Sequence, residues 1–259
     1  MLLDIITLFP DMFRGPFDES IIKRAQDKSL ATIRIHNLRK WAIDKRGTVD
    51  GRPYGGGTGM LLRPEPIFNA VTALKNRATE QQSNRLTKEK NYKTILLDAG
   101  GKRYDQRKAE ALSKYTHLIL ICGHYEGVDY RVHEHLADEV ISIGDFVVTG
   151  GEIPAMLLVD STVRLLPGVL EKEDATTIES FSWNMEHRTW NDKDIEKFHK
   201  SKIINHTSRL LEFPQYTKPD TFRGWSVPDI LKSGNHAEIE KWRYGEAVKR
   251  TKRTRPDLL

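Results

Sequence analysis

The pattern of apolar and polar positions along this 259-residue chain switches repeatedly between the period of a strand and that of a helix. Short apolar runs predict strands, and apolar residues spaced three or four positions apart predict helices. Predicted strands cover 2–9, 31–36, 93–98, 117–122 and 139–144, and predicted helices cover 20–30, 64–76, 105–115, 129–137 and 152–166. This alternation is typical of an α/β fold with a mainly parallel sheet covered by helices.

A change in composition after Pro167 and Gly168 indicates a domain boundary. Residues 170–209 are polar with few aliphatic side chains, whereas 210–259 contain a basic, amphipathic stretch. We therefore predict an α/β domain over 1–168, an interdomain linker with an insertion over 169–209, and a small helical domain over 210–259. We also expect 79–91 to be a polar connection and 192–204 to form a short amphipathic helix.

Four glycine-rich segments are the most informative local feature of the sequence. They cover 53–60, 98–106, 122–129 and 143–156, and they contain eleven of the 18 glycines. Three of them directly follow predicted strands, where an open α/β sheet builds its ligand crevice. Because glycine weakens helices and strands, such segments indicate a ligand held largely by main chain. The first segment lacks the Gly-Lys-Ser/Thr ending of a phosphate loop and does not match a dinucleotide-binding fingerprint.

Composition and charge narrow the class of protein. No apolar run approaches the roughly 20 residues of a membrane span, and the N-terminal segment, with Asp4 inside it, is typical of a strand and not of a signal peptide. The single cysteine, Cys122, excludes an internal disulfide and a thiolate metal site, which fits the cytoplasm. A formal net charge of +5 favours a polyanionic partner such as nucleic acid.

Several longer motifs together resemble the bacterial tRNA (guanine-N1)-methyltransferase family, whose members methylate the guanosine directly 3′ of the anticodon. The resemblance covers the chain from end to end except for roughly 182–209. The motifs that carry it are DIITLFP at 4–10, RPYGGGTGM at 52–60, CGHYEGVDYRV at 122–132, ISIGDFVVTGGEIPAM at 141–156, RLLPGVL at 164–170, PQYTKP at 214–219 and LKSGNHAEIEKWR at 231–243.

The resemblance implies an α/β domain of the SPOUT class with a deep C-terminal trefoil knot, and S-adenosylmethionine as a methyl donor bound bent at the knot. The positions that match the family's cofactor site are Gly123, Tyr125, Glu126, Gly127, Ile143, Gly144, Asp145, Phe146, Val147, Val148, Gly150, Gly151 and Pro154. Residues 143–148 offer an apolar slot with backbone groups for adenine, and Glu126 and Asp145 are candidate partners for the sulfonium cation. The family's Ser-Pro-Gln-Gly is replaced here by residues 98–101, so the side-chain contacts differ at that loop.

The resemblance also implies a catalytic set. Guanine N1 carries a proton that must be removed while negative charge builds on O6, and a carboxylate base and an arginine fit these two roles. The family's base is an aspartate in an Asp-Ser-Phe stretch, which matches Glu179-Ser180-Phe181 here. We predict Glu179 as the base, Ser180 as a residue that orients it and Arg164 at the target guanine, with Asp174 as the alternative base. Magnesium dependence is implied too, but no carboxylate cluster specifies a magnesium site.

Two basic segments are candidate RNA surfaces. The C-terminal helix is one, and a loop with Arg39, Lys40, Lys45, Arg46 and Arg52 is the other, where Trp41 and Tyr54 can stack on an unstacked base. The predicted substrate-binding residues are Tyr54, Gly55, Gly56, Gly57, Gly59, Met60, Arg46 and Arg243. The resemblance implies tRNA held by its anticodon stem-loop and a homodimer whose active sites both subunits share.

Two alternative functions stay open on sequence grounds. The first is a catalytically impaired SPOUT-fold protein that binds RNA, which the changes at 98–100 and 179 favour. The second is a methyltransferase for another RNA atom, against which the motif at 231–243 argues. A metal site at His133-Glu134-His135 is not expected, because residues two apart on a helix face different directions. Cys122 ends an apolar strand and is predicted to be a small buried residue rather than a nucleophile.

Overall fold

The computed structural model describes residues 1–82, 91–176, 179–182 and 209–259. The described chain forms two compact units, Met1–Glu171 and Lys172–Leu259. Most of the connection predicted over 79–91, and the helix predicted over 192–204, lie outside the described residues. Each unit is considered by itself below.

Strands and helices alternate along the first unit, as the apolar pattern predicts. Its strands are β1 (Leu2–Thr7), β2 (Thr32–Asn37), β3 (Asp50–Gly51), β4 (Leu61–Leu62), β5 (Tyr92–Arg103), β6 (His117–Cys122) and β7 (Glu139–Ser142). Its helices are α1 (Ser20–Asp27), α2 (Pro64–Gln82), α3 (Gln106–Leu112), α4 (Tyr130–His135) and α5 (Glu152–Val163). The second unit contains a short hairpin, β8 (Thr221–Phe222) and β9 (Trp225–Ser226), which the sequence did not predict, and the helix α6 (His236–Thr254).

Five strands of the first unit form one sheet in the order β2-β1-β6-β5-β7, and every pairing is parallel. Helices α1, α3 and α5 contribute to an apolar cluster with one set of strand residues, and α2 and α4 contribute to a second cluster with the alternate set. Strands covered on both faces are uniformly apolar, and all six residues of β6 are buried. The predicted α/β class with a parallel sheet is confirmed, whereas the path of the chain through a knot stays a prediction.

Strand β5 leaves the sheet for four residues in its middle. Leu97 and Lys102 both lie opposite Ile141 of β7, so residues 98–101 have no partners in this ladder. An irregularity of this kind bends the strand and re-aims side chains, often beside a binding site. The glycine-rich segment 98–106 therefore begins with an excursion at the end of the buried part of the sheet.

A cluster around the buried carboxylate of Asp4 connects the strands β1, β2 and β6. Asp4 of β1 is 2% exposed, and it accepts hydrogen bonds from Nε2 of His36 in β2 at 2.6 Å and from Nε2 of His117 in β6 at 2.8 Å. Burial alone would raise the pKa of Asp4, but the hydrogen bonds and charges of His117 and His36 outweigh it and lower the pKa to about 2. The ionised carboxylate is therefore the form that the folded protein stabilises.

We predict that Asp4→Asn lowers the free energy of unfolding by about 3 kcal/mol near pH 7, because it removes the charge that pairs with the buried imidazole of His117 and the half-buried imidazole of His36. The pKa of Asp4 is depressed in the folded state, so its contribution is complete above about pH 4 and is lost as the pH falls towards 2. Denaturant unfolding at several pH values measures the difference in unfolding free energy between the variant and the wild type. This difference should become smaller below pH 4. A difference that does not change with pH would contradict the stabilising role of the ionised Asp4. Asp11→Asn, an exposed aspartate paired with Arg14, is the control.

Candidate functional site

A cavity of about 260 Å³ lies where β6, β7 and the first half of β5 end. This is the carboxyl edge of the parallel sheet, the usual position of a ligand crevice in open α/β folds. Three segments form its walls: the end of the first half of β5, the loop after β6, and the loop between β7 and α5. The lining residues are Leu97, Asp98, Ala99, Gly123, His124, Tyr125, Glu126, Gly127, Ile141, Ser142, Ile143, Phe146, Val147, Val148, Thr149, Gly150, Gly151 and Pro154.

All predicted cofactor residues line this cavity except Gly144 and Asp145. The backbone of Gly144 is engaged by the hydroxyl of Ser142, which donates to its carbonyl at 2.9 Å, and Asp145 is exposed. Sequence reasoning missed several lining residues, among them His124 and Thr149. Both lie inside the recognised glycine-rich motifs, so their position next to the chosen residues was the available signal.

The loop after β6 has an unusual backbone. Tyr125 has φ 60° although it carries a side chain, and Gly127 has φ 116°. A residue other than glycine in this region costs about 1 kcal/mol or more, and it persists where neighbouring contacts fix the chain. Here the N–H of Gly127 donates to the carbonyl of His124 at 3.1 Å, and that of Gly151 donates to the carbonyl of Gly123 at 2.8 Å. The loop is thus held tightly against the start of α5.

The start of α5 is fixed by a buried carboxylate. Glu152 is 1% exposed; it accepts a hydrogen bond from the hydroxyl of Thr7 at 2.6 Å, and Nδ1 of His124 lies 3.8 Å from its other oxygen. One side chain therefore connects the end of β1, the loop after β6 and α5. Cys122 ends β6 beside this contact, and burial, with the charge of Glu152, raises the pKa of its thiol. The thiol is buried, as the sequence predicts, and does not favour the reactive thiolate.

The first glycine-rich segment reaches the edge of the cavity through main-chain hydrogen bonds. The N–H of Glu126 donates to the carbonyl of Met60 at 3.1 Å, and that of Leu62 donates to the carbonyl of Gly127 at 3.0 Å. Gly59 has φ +84°, and a Cβ there would overlap the side chain of Glu126. Gly59 and Met60 are thus brought to the candidate cofactor loop.

The other residues predicted for the first unit are four substrate-binding residues at the tip of the glycine-rich segment, one on the basic loop, and Arg164 of the catalytic set. Tyr54 is fully exposed at the tip of the glycine-rich segment, and Gly55, Gly56 and Gly57 are exposed after it. Arg46 is exposed on the preceding basic loop. Arg164 is half-buried at the end of α5, where its N–H donates to the carbonyl of Asp160 at 3.2 Å. All six residues lie outside the lining of the cavity.

In the second unit, Glu179 and Ser180 belong to a turn that is anchored to the segment before α6. The hydroxyl of Ser180 accepts a hydrogen bond from the N–H of Glu212 at 3.0 Å, and the N–H of Phe181 donates to the carbonyl of Leu210 at 2.9 Å. The N–H of Ser182 closes the turn by donating to the carbonyl of Glu179 at 3.2 Å. The structure therefore gives Ser180 a main-chain partner, which the sequence did not predict.

The other predicted residues of the second unit are Arg243 and Asp174. The guanidinium of Arg243 in α6 pairs with Glu240 at 2.8 Å and lies 4.9 Å above the ring of Phe213. Asp174 belongs to a short 3₁₀ turn, Glu173–Thr176.

Metal ligation and membrane insertion find no support in the described part of the chain. No group of three or more His, Cys, Asp or Glu residues could hold a metal ion there. Nε2 of His133 lies 3.9 Å from Asp98, whereas His135 pairs with Glu134, so these histidines face different neighbours. No helix among the described residues is long and apolar enough to cross a membrane.

Comparison with known proteins shows which family this chain belongs to. The family described as tRNA (Guanine-1)-methyltransferase TrmD matches residues 1–259, the whole chain. This chain belongs to the tRNA (guanine-1)-methyltransferase family. The resemblance inferred from the motifs is confirmed, and the chain is an enzyme of the methyltransferase class with a tRNA substrate implied by its family.

Relatives that carry the name tRNA (guanine-N(1)-)-methyltransferase are similar to this chain over nearly their full length. The protein of Dictyoglomus turgidum is 50% identical over 99% of this chain and 89% of its own length. That of Anoxybacillus flavithermus is 48% identical over 100% of this chain and 91% of its own. That of Dehalococcoides mccartyi strain 195 is 45% identical, with 100% and 90% covered.

Membership of the methyltransferase family implies S-adenosylmethionine as methyl donor, and the cavity suits that molecule. Apolar side chains such as Ile143 and Val148 line the cavity, as an adenine requires. Asp98 and Glu126 line the cavity as well, and carboxylates favour polar hydroxyls and a cationic sulfonium. The glycines leave the main chain accessible between them.

We predict that Gly59→Ala weakens binding of S-adenosylhomocysteine, because the added methyl group displaces Glu126 from the cavity edge. The expected loss is about tenfold, which corresponds to about 1.4 kcal/mol. Isothermal titration calorimetry without tRNA measures it. Gly15→Ala is the matched control, since Gly15 has a similar φ of +94° but nothing within 4 Å of an added Cβ. If the two variants bind S-adenosylhomocysteine equally well, the close contact between Gly59 and Glu126 does not contribute to ligand binding.

Proposed function

We propose that this chain transfers a methyl group from S-adenosylmethionine to N1 of the guanosine 3′-adjacent to the anticodon in tRNA. The observation that carries the proposal is the glycine-lined cavity at the ends of β5, β6 and β7 in a chain that belongs to this methyltransferase family. We expect it to act in the cytoplasm, where its tRNA substrate is found.

The cavity residues would hold the donor by main chain and by apolar contact. Ile143 and Val148 offer the adenine side, and Glu126 offers a carboxylate from the loop after β6. Asp145, which the sequence also suggested for the cation, is not among the lining residues. When bound, S-adenosylmethionine supplies an electrophilic methyl group on a sulfonium. The protein's part is to orient the guanine and to exclude water from the site.

Proton removal from guanine N1 is assigned to Glu179. A carboxylate within hydrogen-bond reach of N1–H acts as general base, and the guanidinium of Arg164 stabilises the charge that develops on O6. The turn that carries Glu179 is held through Ser180 and Phe181, so Ser180 acts on the position of the turn. Glutamate is one methylene longer than the family's aspartate. The position of the anchored turn therefore decides where the carboxylate of Glu179 lies. Asp174 is the alternative base.

The anticodon stem-loop is expected to contact exposed cations and aromatic rings. Arg46 is exposed on a basic loop of the first unit, and Tyr54 of the first glycine-rich segment is fully exposed. In the second unit Phe222 and Trp225 are exposed on the β8–β9 hairpin, and the guanidinium of Arg223 lies 5.4 Å from the ring of Phe222. Such rings stack on unpaired bases while cations contact phosphates. Magnesium dependence is part of the proposal, although no cluster in the described residues identifies a site.

A homodimer with active sites shared between subunits is part of the proposal. Four large apolar side chains are exposed in or near α5: Phe146, Val147, Ile153 and Leu157. Ile153 and Leu157 are four residues apart and therefore lie on one face of the helix. An exposed apolar group of this kind is typical of a protein interface, and it supports pairing through α5 and the preceding loop.

The test of the proposed function is transfer of a labelled methyl group to unmodified tRNA. We expect labelling of tRNA with guanosine 3′ of the anticodon, mapped to N1, and none when adenosine replaces it. A magnesium titration in the same assay tests the ion. Labelling at another atom would support the second alternative, and tRNA binding without any labelling would support the binding-protein alternative.

In the same assay, Glu179→Gln should lower the rate of methyl transfer by about a hundredfold or more, because the amide cannot accept the N1 proton. Its affinity for tRNA should stay within about twofold of wild type, since only one charge is lost from a large polyanion interface. Glu171→Gln removes an exposed carboxylate nearby in sequence and serves as the control. Full activity of Glu179→Gln would exclude Glu179 as the base and direct the same test to Asp174→Asn.

Mixing two inactive variants tests the shared site. We combine Arg164→Ala with Gly123→Val, whose larger side chain would intrude on the cavity. If each site takes these two residues from different subunits, half of the dimers gain one intact site, so activity should recover to about a quarter of wild type. Absence of recovery, with heterodimers verified by tagged purification, would indicate that each site is built within one chain.

A further inference from the structure

The excursion of β5 brings a carboxylate to the lining of the cavity. Residues 98–101 leave the ladder with β7, and Asp98 is the first of them. Its Oδ1 accepts a hydrogen bond from the N–H of Gly100 at 2.8 Å, which fixes the side chain in a tight local turn. Asp98 lines the cavity and its side chain is 29% exposed. The conformation of the segment therefore sets where this carboxylate lies.

The second oxygen of Asp98 lies towards the loop after β6. Oδ2 is 4.0 Å from the position that a Cβ on Gly127 would occupy, and 3.9 Å from Nε2 of His133 in α4. The ring of His133 stacks on Tyr130 at 5.1 Å. A carboxylate has about four acceptor positions, and the hydrogen bond from the N–H of Gly100 uses one of them. Acceptor capacity therefore remains for a ligand in the cavity.

We propose that Asp98 accepts hydrogen bonds from the ribose hydroxyls of the cofactor nucleoside and so positions it in the cavity. This inference rests on the proposed function. In the sheet, β5 lies between β7 and β6, and the apolar slot for adenine belongs to the loop after β7. Ribose is bonded to adenine, so it falls beside the adjacent strand, β5. A carboxylate at a strand end is a common partner of ribose hydroxyls.

The cationic part of the donor has a different carboxylate available to it. Glu126 lies on the loop after β6, across the end of β5 from the adenine slot. The two carboxylates therefore contact different parts of the ligand. Asp98 binds the neutral diol of the ribose, and Glu126 faces the cationic part of the donor. The family's serine at this position gives one hydroxyl where Asp98 gives two oxygens and a charge, so nucleoside binding in this chain depends on Asp98.

Asp98→Asn tests the proposal with nucleoside ligands and without tRNA. Asparagine keeps Oδ1 as acceptor for the N–H of Gly100 but loses the charge and one acceptor oxygen. We expect affinity for S-adenosylhomocysteine and for 5′-methylthioadenosine, which lacks the amino-acid tail, to fall by the same factor of about tenfold. Asp105→Asn is the matched control, because Asp105 also accepts from a backbone N–H, that of Lys108 at 2.8 Å, outside the cavity.

Ligands that lack one hydroxyl identify the contact. The 2′-deoxy and 3′-deoxy forms of 5′-methylthioadenosine should bind wild type about tenfold more weakly than the parent, and at least one should bind Asp98→Asn about as well as the parent does. A variant that loses affinity for S-adenosylhomocysteine alone would assign Asp98 to the amino-acid tail and overturn the proposal. Equal affinities of wild type for the parent and both deoxy ligands would overturn it even if the variant failed to fold.

The outcomes separate this inference from the proposed function. Wild-type protein that binds S-adenosylhomocysteine while Asp98→Asn binds it equally well overturns the role of Asp98 and leaves methyl transfer intact. Wild-type protein that binds none of the nucleosides overturns both.

Discussion

The close approach of α5 to the end of β6 is the contact on which the candidate site depends. A Cβ on Gly151 would lie 2.6 Å from the Cα of Cys122, so the helix can begin at this point only with glycine. Glu152 follows directly and is bound by Thr7 at 2.6 Å. Because both contacts fix the start of α5, they also fix the preceding loop, which forms one wall of the cavity.

Main chain and side chains have separate tasks around the cavity. The glycine-rich segments in the middle of β5, after β6 and before α5 bring backbone close to any ligand, while Ile143 and Val148 provide apolar surface. Among the described residues, the carboxylates that line the cavity are those of Asp98 and Glu126. A site built in this way binds a nucleoside by shape and by a few directed polar contacts. The four-residue excursion of β5 lets the central strand contribute one of them.

The second unit holds its candidate base on an anchored turn. Leu210, Phe213, Tyr244, Ala247 and Val248 form a small apolar cluster against α6. The hydroxyl of Thr251 in α6 accepts a hydrogen bond from the N–H of Leu211 at 2.9 Å, and Leu210 accepts from Phe181. The turn with Glu179 is thus attached to the packed helix through neighbouring residues. Because this attachment fixes the backbone at Glu179, it also fixes how far the carboxylate of a glutamate reaches where the family has the shorter aspartate.

The sequence by itself determined the α/β class, the parallel sheet and the motif loops, because strands buried on both faces and glycine-rich strand ends leave local signals. Tertiary structure alone decided that Gly144 and Asp145 stay outside the cavity lining, that Ser180 binds the N–H of Glu212, and that Asp98 lines the cavity. Thr7 and Glu152 are 145 positions apart in the chain. A contact between such distant positions leaves no pattern in the local sequence, because it forms only when the strands and α5 pack together.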